Sequence, residues 1–210
     1  EALRWYGRAL ILKPDDRTLI EPMESLAGAT GLWQECANTM MEALGAARNA
    51  DVKSPICLRL ARIHHEFLRD FPRAEQMCRL VLDELDPNSV EALSRLDALL
   101  LALERWAELV EVLDQELSAS SDLEQRVGLG FRRAVILQVE IGDLEATVDS
   151  FEAVLKDEPS HGESLSALQS IFFEREDFER LVDVYQRQLK WAEDDERRAD
   201  IHQQMATLCS

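Results

Sequence analysis

Cysteine and histidine side chains, which are common metal ligands, occur close together in one segment of the sequence. Cys57 and His64 are seven residues apart, His65 follows, and Cys78 lies thirteen residues further on. A zinc site needs four such ligands converging at about 2.0–2.3 Å. His65 and Cys78, however, fall where the helical repeat described below places core side chains, and a buried free cysteine behaves as a small apolar residue. The sequence therefore favours core packing over a metal site, and we expect no metal or other cofactor.

Signatures of catalysis are absent from the sequence. It contains no GxSxG, no HExxH and no GxxxxGK[ST], which are patterns that build a nucleophile elbow, a zinc protease site and a phosphate loop. Gly128-Leu-Gly130 lies inside a helical segment and follows no strand, so it does not have the context of a phosphate loop. We expect a protein that is not an enzyme and has no catalytic residues.

Two arginines could bind carboxylates. Arg59 and Arg132 are 73 residues apart and occupy equivalent positions in the repeat described below. A guanidinium group recognises a carboxylate through two parallel hydrogen bonds, so one hypothesis is that both side chains grip a peptide. The alternative, which we favour, is that they form ordinary surface ion pairs, which are common and weak.

The chain is strongly acidic. Its 23 Lys and Arg residues against 41 Asp and Glu residues give a net charge of −18, which disfavours a nucleic acid partner because phosphate contacts require a basic surface. The stretch 83–124 has 12 acidic and two basic residues, and we expect Glu104, Glu108 and Glu111 to share one helical face. This stretch is either a docking surface for a basic partner or, as we favour, a solvated convex surface.

Composition also limits the class of protein and the cellular compartment that the sequence fits. Hydrophobic residues make up 46% of the chain, enough for a folded core. The four cysteines form no CxxC pair, which favours reduced thiols and a cytoplasmic protein. The longest apolar run, Ala98 to Leu103, is far too short to span a bilayer, so we expect no membrane partner. The sequence starts at Glu1 without Met or a leader, which suggests a fragment of a larger protein.

An internal repeat organises the whole sequence. Apolar anchors near the ends of successive helices are spaced by 34, 38, 35, 38 and 34 residues, a period typical of helix–turn–helix solenoids. These anchors are Leu10, Leu44, Leu82, Leu117, Leu155 and Leu189. The pattern predicts a lone second helix at about 2–13, five hairpins, and a lone first helix from about 194. The hairpins are predicted at 16–49, 54–86, 88–118, 121–158 and 160–192.

Helix-start signals agree with this division. Ser121 and Ser160 each precede a glutamate by three residues, as in a capping box, and Asn88 starts a variant of the same pattern. Ser54 is predicted to cap a helix whose first turn contains a proline. Gly142-Asp143 is predicted to end one helix and cap the next.

These residues resemble the tetratricopeptide repeat. Its second helix carries an alanine, an aromatic four residues on, then Ala-Leu and a proline near the end. The segment from 2 to 14 matches at Ala2, Tyr6, Ala9, Leu10 and Pro14. The segment from 146 to 159 matches with two substitutions, at Ala146, Ser150, Val154, Leu155 and Pro159. The first helices are more degenerate, and the alternating short and long hairpins resemble those of large multi-repeat bacterial proteins.

The resemblance implies an all-α protein in which one right-handed α-solenoid, or superhelix, extends over residues 1–210. First helices would line a concave groove that holds an extended peptide or a helix. The implied groove positions are Arg59, Ile63, Glu66, Phe67, Ser94, Ala98, Leu101, Arg132, Ile136, Val139, Ser166, Ser170 and Phe173. The asparagine positions of the family's carboxylate clamp hold Ser25, Ile63, Ala98, Ile136 and Ser170 instead, so that clamp is absent.

The expected function is that of a non-catalytic protein–protein interaction scaffold, whose partner is another protein or a peptide. One alternative is a structural spacer that self-associates through uncapped end helices. The other is a regulatory domain of a larger enzyme whose catalytic part lies elsewhere.

Overall fold

The structure of the chain is a computed structural model that describes residues 1–192 and 194–208. Every regular element in this part of the chain is helical, and the chain divides into two compact units, Glu1–Glu116 (unit 1) and Leu117–Ser210 (unit 2). The all-α prediction is therefore confirmed. The expected single array over residues 1–210 stays a prediction.

Unit 1 begins with helix α1 and continues in helical hairpins. Its helices are α1 (Ala2–Leu12), α2 (Ile20–Thr30), α3 (Trp33–Ala46), α4 (Ala50–Arg62), α5 (Phe71–Leu80), α6 (Val90–Ala102) and α7 (Trp106–Ala119), the last of which contains the unit boundary. A short 3-10 turn, Arg17–Leu19, precedes α2. The hairpins α2/α3, α4/α5 and α6/α7 agree with three of the predicted hairpins.

Unit 2 contains two further hairpins and a final helix. Its helices are α8 (Leu123–Ile136), α9 (Leu144–Asp157), α10 (Gly162–Glu174), α11 (Phe178–Trp191) and α12 (Asp195–Leu208). Helix α9 packs against both α8 and α10, and α11 packs against α10 and α12. This order of contacts is the stacking of neighbouring hairpins that the repeat predicts.

Three helices end in a π-helical turn that the sequence pattern does not reveal. Helix α4 continues into Ile63–Phe67, α5 into Val81–Leu85, and α8 into Leu137–Ile141. A π turn closes i to i+5 hydrogen bonds and adds a residue to the turn. It therefore shifts the side chains that follow it relative to a regular 3.6-residue count.

A residue with positive φ separates the two helices of every hairpin between α2 and α11. It is glycine in two turns, with φ of 73° at Gly31 and 78° at Gly142. It is Arg69, Glu104 or Glu176 in the other three, with φ of 54°, 54° and 55°. The left-handed region is open to glycine but strained for residues with a Cβ. The five hairpin turns thus share a residue in the left-handed region although their sequences differ.

The helix starts differ from the predicted caps by one residue in three cases. Asp122, not Ser121, accepts the capping hydrogen bond at α8, from Gln125 N–H. His161, not Ser160, accepts from Ser164 N–H at α10. Ser89 replaces Asn88 as the residue before α6, and its side chain makes no capping bond.

The prediction at Ser54 is wrong in a different way, because α4 already begins at Ala50 and Pro55 lies inside it. A proline lacks the N–H that would bond to the carbonyl four residues earlier. That carbonyl belongs to Asp51, and it accepts a hydrogen bond from Arg17 Nη2 at 3.2 Å. A neighbouring element therefore satisfies the backbone oxygen that Pro55 leaves free.

Aspartates cap the starts of other helices. The carboxylates of Asp70, Asp143 and Asp177 accept from the backbone N–H three residues on, at the starts of α5, α9 and α11. The predicted role of Gly142-Asp143 is confirmed by this geometry. A carboxylate at a helix start also interacts favourably with the helix dipole.

Apolar side chains from both helices of each hairpin form the cores. In unit 2 a single cluster contains Phe151, Leu165, Leu168, Phe172 and Tyr185 among its largest members. Ile201 is the only residue of α12 that is buried, and it joins this cluster. In unit 1, Gly7 lets α1 approach α3 closely, since a Cβ there would lie 2.4 Å from Thr39 Cγ2.

Candidate interaction surface

The predicted groove residues fall into an exposed group and a buried group. Large apolar side chains are exposed at Phe67, Leu101, Val139 and Phe173, with exposed fractions of 42%, 44%, 67% and 59%. Leu101, Val139 and Phe173 each lie four residues before the residue that precedes the second helix. The same turn of successive first helices therefore carries an exposed apolar side chain.

Small and polar groove positions are also exposed. Ser94 and Ala98 lie on α6, and Ser166 and Ser170 lie on α10. The Ser170 hydroxyl donates a hydrogen bond to the Ser166 carbonyl at 3.1 Å. These exposed positions carry short side chains close in sequence to the exposed apolar residues Leu101 and Phe173.

Ile63 and Ile136 do not belong to this surface. Their exposed fractions are 0% and 7%, so the assignment of both residues to a groove is wrong. Ile63 continues the buried row of Ile56 and Leu60, which are spaced as i, i+4 and i+7 on one helix face. Ile136 is buried beside Leu137, at the point where α8 passes into its π turn.

Arg59 is engaged inside the protein rather than free for a ligand. Its Nη1 donates to Glu24 Oε2 at 2.7 Å, and Arg62 Nη2 donates to the same oxygen at 2.6 Å. The Glu24 side chain is only 9% exposed. We call these three residues the Glu24 cluster. The ion pair favoured for Arg59 is therefore present, with a buried carboxylate of this chain as its partner.

The remaining charged groove positions also have internal contacts. Glu66 lies 3.8 Å from Arg95, which also pairs with Glu91 at 3.0 Å. Arg132 is half-buried and interacts within the protein. The exposed ring of Phe67 stacks on Trp33, with centroids 3.8 Å apart. Any role of these residues in binding a partner stays a prediction.

The acidic stretch 83–124 does not present the single face that its sequence predicts. Glu104 precedes α7 in a left-handed turn, so it is not on the helical face with Glu108 and Glu111. Glu108 accepts from Arg79 Nη2 at 2.7 Å and from Arg105 Nε at 2.7 Å. Part of the acidic charge is thus neutralised within unit 1.

The cysteines and histidines are packed in the interior rather than arranged as ligands. Cys36, Cys57 and Cys78 are buried free thiols, and burial raises their pKa to about 12, 11 and 12. Cys209 lies outside the described residues. Within 1–192 and 194–208, no three or more His, Cys, Asp or Glu side chains converge to hold a metal ion.

His64, and not His65, is the histidine that lies in the core. His64 is 2% exposed, whereas His65 is half-buried and contacts the Phe71 ring edge-on at 5.6 Å. Burial lowers the pKa of His64, and Asp70, 3.8 Å away, opposes that shift. Both rings contribute to packing at the end of α4.

A row of glutamine amides in unit 2 was missed by the sequence reasoning. Gln188 Nε2 donates to Gln169 Oε1 at 2.9 Å, and Gln169 Nε2 donates to Gln204 Oε1 at 3.3 Å. Gln188 is 8% exposed and follows Leu181, Val184 and Tyr185 on the buried side of α11. A polar residue on an apolar helix stripe is the signal that could have revealed it.

The sequence matches one known family model, that of the tetratricopeptide repeat, over residues 164–199. This range covers α11 and most of α10, and so matches the last predicted hairpin. A comparison with curated proteins finds no matching sequence.

Solved structures share the fold at low sequence identity. A chain of the structure of Naa15/Naa10 bound to HypK-THB matches with a TM-score of 0.64 at 19% identity, over 99% of this chain and 32% of that chain. A structure of MamA matches with a TM-score of 0.52 at 11% identity, over 87% and 93% of the two chains. A double mutant of MamA from strain RS-1 gives 0.51 at 15% identity, over 83% and 93%.

The stacked helical hairpins define an α-solenoid of helix–turn–helix repeats. Residues 164–199 match the tetratricopeptide repeat, and the chain shares the fold of the solved structures described above. None of the described helices combines the length and the hydropathy required to cross a membrane.

Proposed function

We propose that the chain is a non-catalytic scaffold that binds a peptide or a helix of another protein on the exposed faces of its first helices. The observation that carries this proposal is the recurrence of an exposed apolar side chain at the same first-helix turn, at Leu101, Val139 and Phe173. Exposed apolar side chains lose contact with water when a partner covers them, which favours association.

The chemistry of the interior supports a binding role over a catalytic one. A cysteine nucleophile needs a lowered pKa, whereas burial raises the pKa of Cys36 and Cys78 to about 12 and keeps both thiols protonated at neutral pH. The fold supports the same proposal, since stacked repeats present side chains on rigid helices. One structure that shares the fold is that of a protein bound to partners.

The test uses a phage-displayed library of random 12-residue peptides selected on the full chain. The variant Val139→Asp/Phe173→Asp places charge on the exposed first-helix positions of unit 2. We expect the selected peptides to bind this variant at least tenfold more weakly than the wild type, because each buried apolar side chain contributes about 1.5–3 kcal/mol.

The matched control is Leu144→Asp/Phe178→Asp. Leu144 and Phe178 are also exposed, at 42% and 47%, but they begin the second helices α9 and α11. Binding by the control at wild-type affinity would support the proposal. Equal loss in both double variants, or no selected peptide at all, would contradict it.

Self-association is a second candidate function, and the exposed side of α1 favours it. Trp5 is 67% exposed and Leu12 is 82% exposed, seven residues apart on one helix face, and the Arg8 guanidinium lies 5.4 Å from the Trp5 ring centre. Helix α12 differs, because most of its exposed residues are polar. Sedimentation of the wild type against Trp5→Glu/Leu12→Glu distinguishes the two ideas. A concentration-dependent dimer that the variant abolishes would support self-association, and a strict monomer would rule it out.

A further inference from the structure

A cleft of about 370 Å³ opens in unit 2 where the start of α10 faces the end of α11 and the start of α12. Its lining includes Ser166, which is a predicted groove position, together with Gln188, Trp191 and Arg197. The cleft therefore combines an amide, an indole and a guanidinium group, three groups that recognise peptides by different contacts.

The amide of Gln188 is the most informative group in the cleft. Its Nε2 is bonded to Gln169, but its Oε1 is buried and has no hydrogen-bond partner in the part of the chain that the structure describes. A buried acceptor without a donor destabilises a protein, so such groups are rare and need an explanation. Gln188 both lines the cleft and holds this acceptor. The oxygen is closed to solvent, so a donor that enters the cleft reaches it only when the side chains that cover it move aside.

The donor that fits best is a backbone N–H of an extended peptide. A peptide supplies one N–H per residue, except at proline, and a carboxamide oxygen accepts it in ordinary geometry. The row Gln204, Gln169 and Gln188 also fixes the acceptor, because each amide is held by the next. A side chain oriented in this way binds a peptide without losing rotamer freedom at the moment of binding.

Two further groups predict the side chains of that peptide. Trp191 is 45% exposed, and its ring offers an apolar wall for an aliphatic or aromatic side chain. Arg197 is exposed and offers a guanidinium group to a carboxylate. Asp194 also lines the cleft, and its carboxylate accepts a hydrogen bond from the Arg197 backbone N–H at 2.7 Å. Its carboxylate is therefore already used at the start of α12.

We propose that this cleft is a recognition pocket for an extended peptide of another protein, in which Gln188 accepts a backbone N–H, Trp191 contacts an apolar side chain and Arg197 pairs with a neighbouring Asp or Glu side chain. This inference rests on the proposed scaffold function and specifies the site and the sequence of the bound segment. The pocket lies outside the exposed apolar positions Val139 and Phe173, so the two can be tested separately.

The test starts from the peptides selected on the wild-type chain from the random 12-residue library. We expect the selected sequences to be enriched in an apolar residue close to an acidic one. Their dissociation constants are then measured by fluorescence anisotropy for the wild type, Gln188→Leu, Trp191→Ala and Arg197→Glu. We expect each variant to bind about tenfold more weakly, whereas Gln203→Leu, a change at an exposed glutamine of α12, leaves affinity unchanged.

Backbone N-methylation of the best peptide, one position at a time, tests the hydrogen bond itself. One N-methyl position is expected to weaken binding to the wild type about tenfold and binding to Gln188→Leu less than twofold, because the variant has already lost the acceptor. Thermal melts of Gln188→Leu separate binding from folding. We expect stability close to that of the wild type, since leucine has a similar size and the removal of a buried acceptor without a partner offsets the lost hydrogen bond to Gln169.

The outcomes distinguish this inference from the proposed function. One outcome is that the peptides bind Gln188→Leu and Arg197→Glu as tightly as the wild type but no longer bind Val139→Asp/Phe173→Asp. That outcome would overturn the proposed pocket and support the proposed scaffold function. No N-methyl position that discriminates wild type from Gln188→Leu would overturn the proposed hydrogen bond. A library that yields no binding peptide would overturn both.

Discussion

Unit 1 and unit 2 each bury a polar cluster next to a first helix, and they do so with different chemistry. In unit 1, the carboxylate of Glu24 receives two arginines at 2.7 and 2.6 Å. In unit 2, the neutral amides of Gln169, Gln188 and Gln204 bond to one another in a row. One oxygen of Glu24 and one of Gln188 are buried without a partner among the described residues.

The two clusters differ in how much stability the protein loses when one partner is removed. A buried carboxylate without its cations leaves uncompensated charge in the interior, and removal of the carboxylate leaves two partly exposed arginines without their shared partner. A neutral amide that loses one hydrogen bond leaves only a modest penalty. The Glu24 cluster is therefore tied to the stability of unit 1. The amide row has less to lose, and one of its members, Gln188, lines a cleft, so it is the better place for recognition.

The largest expected effect is that of Glu24→Gln. The change removes the charge that Arg59 and Arg62 share, and we expect the free energy of unfolding to fall by about 2–3 kcal/mol. This is less than for a fully buried pair, because the two arginine side chains are 39% and 28% exposed. Urea unfolding followed by circular dichroism measures it. Gln188→Leu, by contrast, is expected to keep or raise stability, by less than about 1 kcal/mol.

Glu21→Gln provides the control, since Glu21 is an exposed glutamate on the same helix, α2. We expect it to change stability by less than about 0.5 kcal/mol, as is usual for surface substitutions. If Glu24→Gln behaved like Glu21→Gln, or if Gln188→Leu proved the more harmful change, the contrast between the two clusters would be wrong.

The turns of two equivalent hairpins give a second, smaller contrast. Arg69 and Gly142 lie 73 residues apart in the α4/α5 and α8/α9 turns, with φ of 54° and 78°. We expect Gly142→Ala to lower the free energy of unfolding by about 1–2 kcal/mol, because a Cβ is strained in the left-handed region. Arg69→Gly should relieve that strain and raise stability by up to about 1 kcal/mol, offset in part by the entropy of glycine in the unfolded chain.

Thermal denaturation of both variants measures this contrast. Gly162→Ala is a suitable reference, because Gly162 starts α10 without a positive φ and a Cβ there meets nothing within 4 Å. A stabilising Gly142→Ala, or a destabilising Arg69→Gly, would show that side-chain contacts and not backbone strain decide these turns.

The sequence predicted the repeat and its hairpins well, because the apolar spacing follows from helix geometry alone. It placed the α2/α3 to α10/α11 hairpins at nearly their observed positions. Caps are harder, since neighbouring polar residues compete for the same backbone N–H. Asp122 and His161 cap the helices that Ser121 and Ser160 were predicted to cap, and each lies one residue further along the chain.

Fewer residues of the candidate site could be predicted from the sequence, and the physical reason differs from residue to residue. Ile63 and Ile136 lie where α4 and α8 pass into π turns, which a regular helical count does not anticipate. An ion pair was favoured for Arg59, but its partner could not be named because Glu24 is 35 residues away in sequence. The importance of Gln188 depends on two other helices, so no local pattern of α11 could show that its oxygen is left without a partner.

The smallest expected effect is a pH dependence of stability, and it again compares a charged cluster with a neutral one. Glu75 in unit 1 accepts hydrogen bonds from Arg79 at 2.7 Å and from Arg105. Desolvation by burial raises the pKa of Glu75, but the hydrogen bonds from Arg105 and Arg79 outweigh it, so the pKa lies below its ordinary value of 4.5. A lowered pKa means that the ionised side chain stabilises the folded state above that ordinary value. The contribution is then lost as the pH falls through the folded-state pKa.

We therefore expect Glu75→Gln to lower the free energy of unfolding by about 1 kcal/mol or less at pH 7, since both arginines are partly exposed. The difference from the wild type should shrink as the pH falls below 4.5, because protonation removes the same charge from the wild type. Urea unfolding at a series of pH values measures it. For Gln188→Leu the difference from the wild type should stay constant over the same range, because a carboxamide does not titrate. A pH-dependent difference for Gln188→Leu, or a constant one for Glu75→Gln, would mean that the charged and neutral clusters do not differ in the way their geometry indicates.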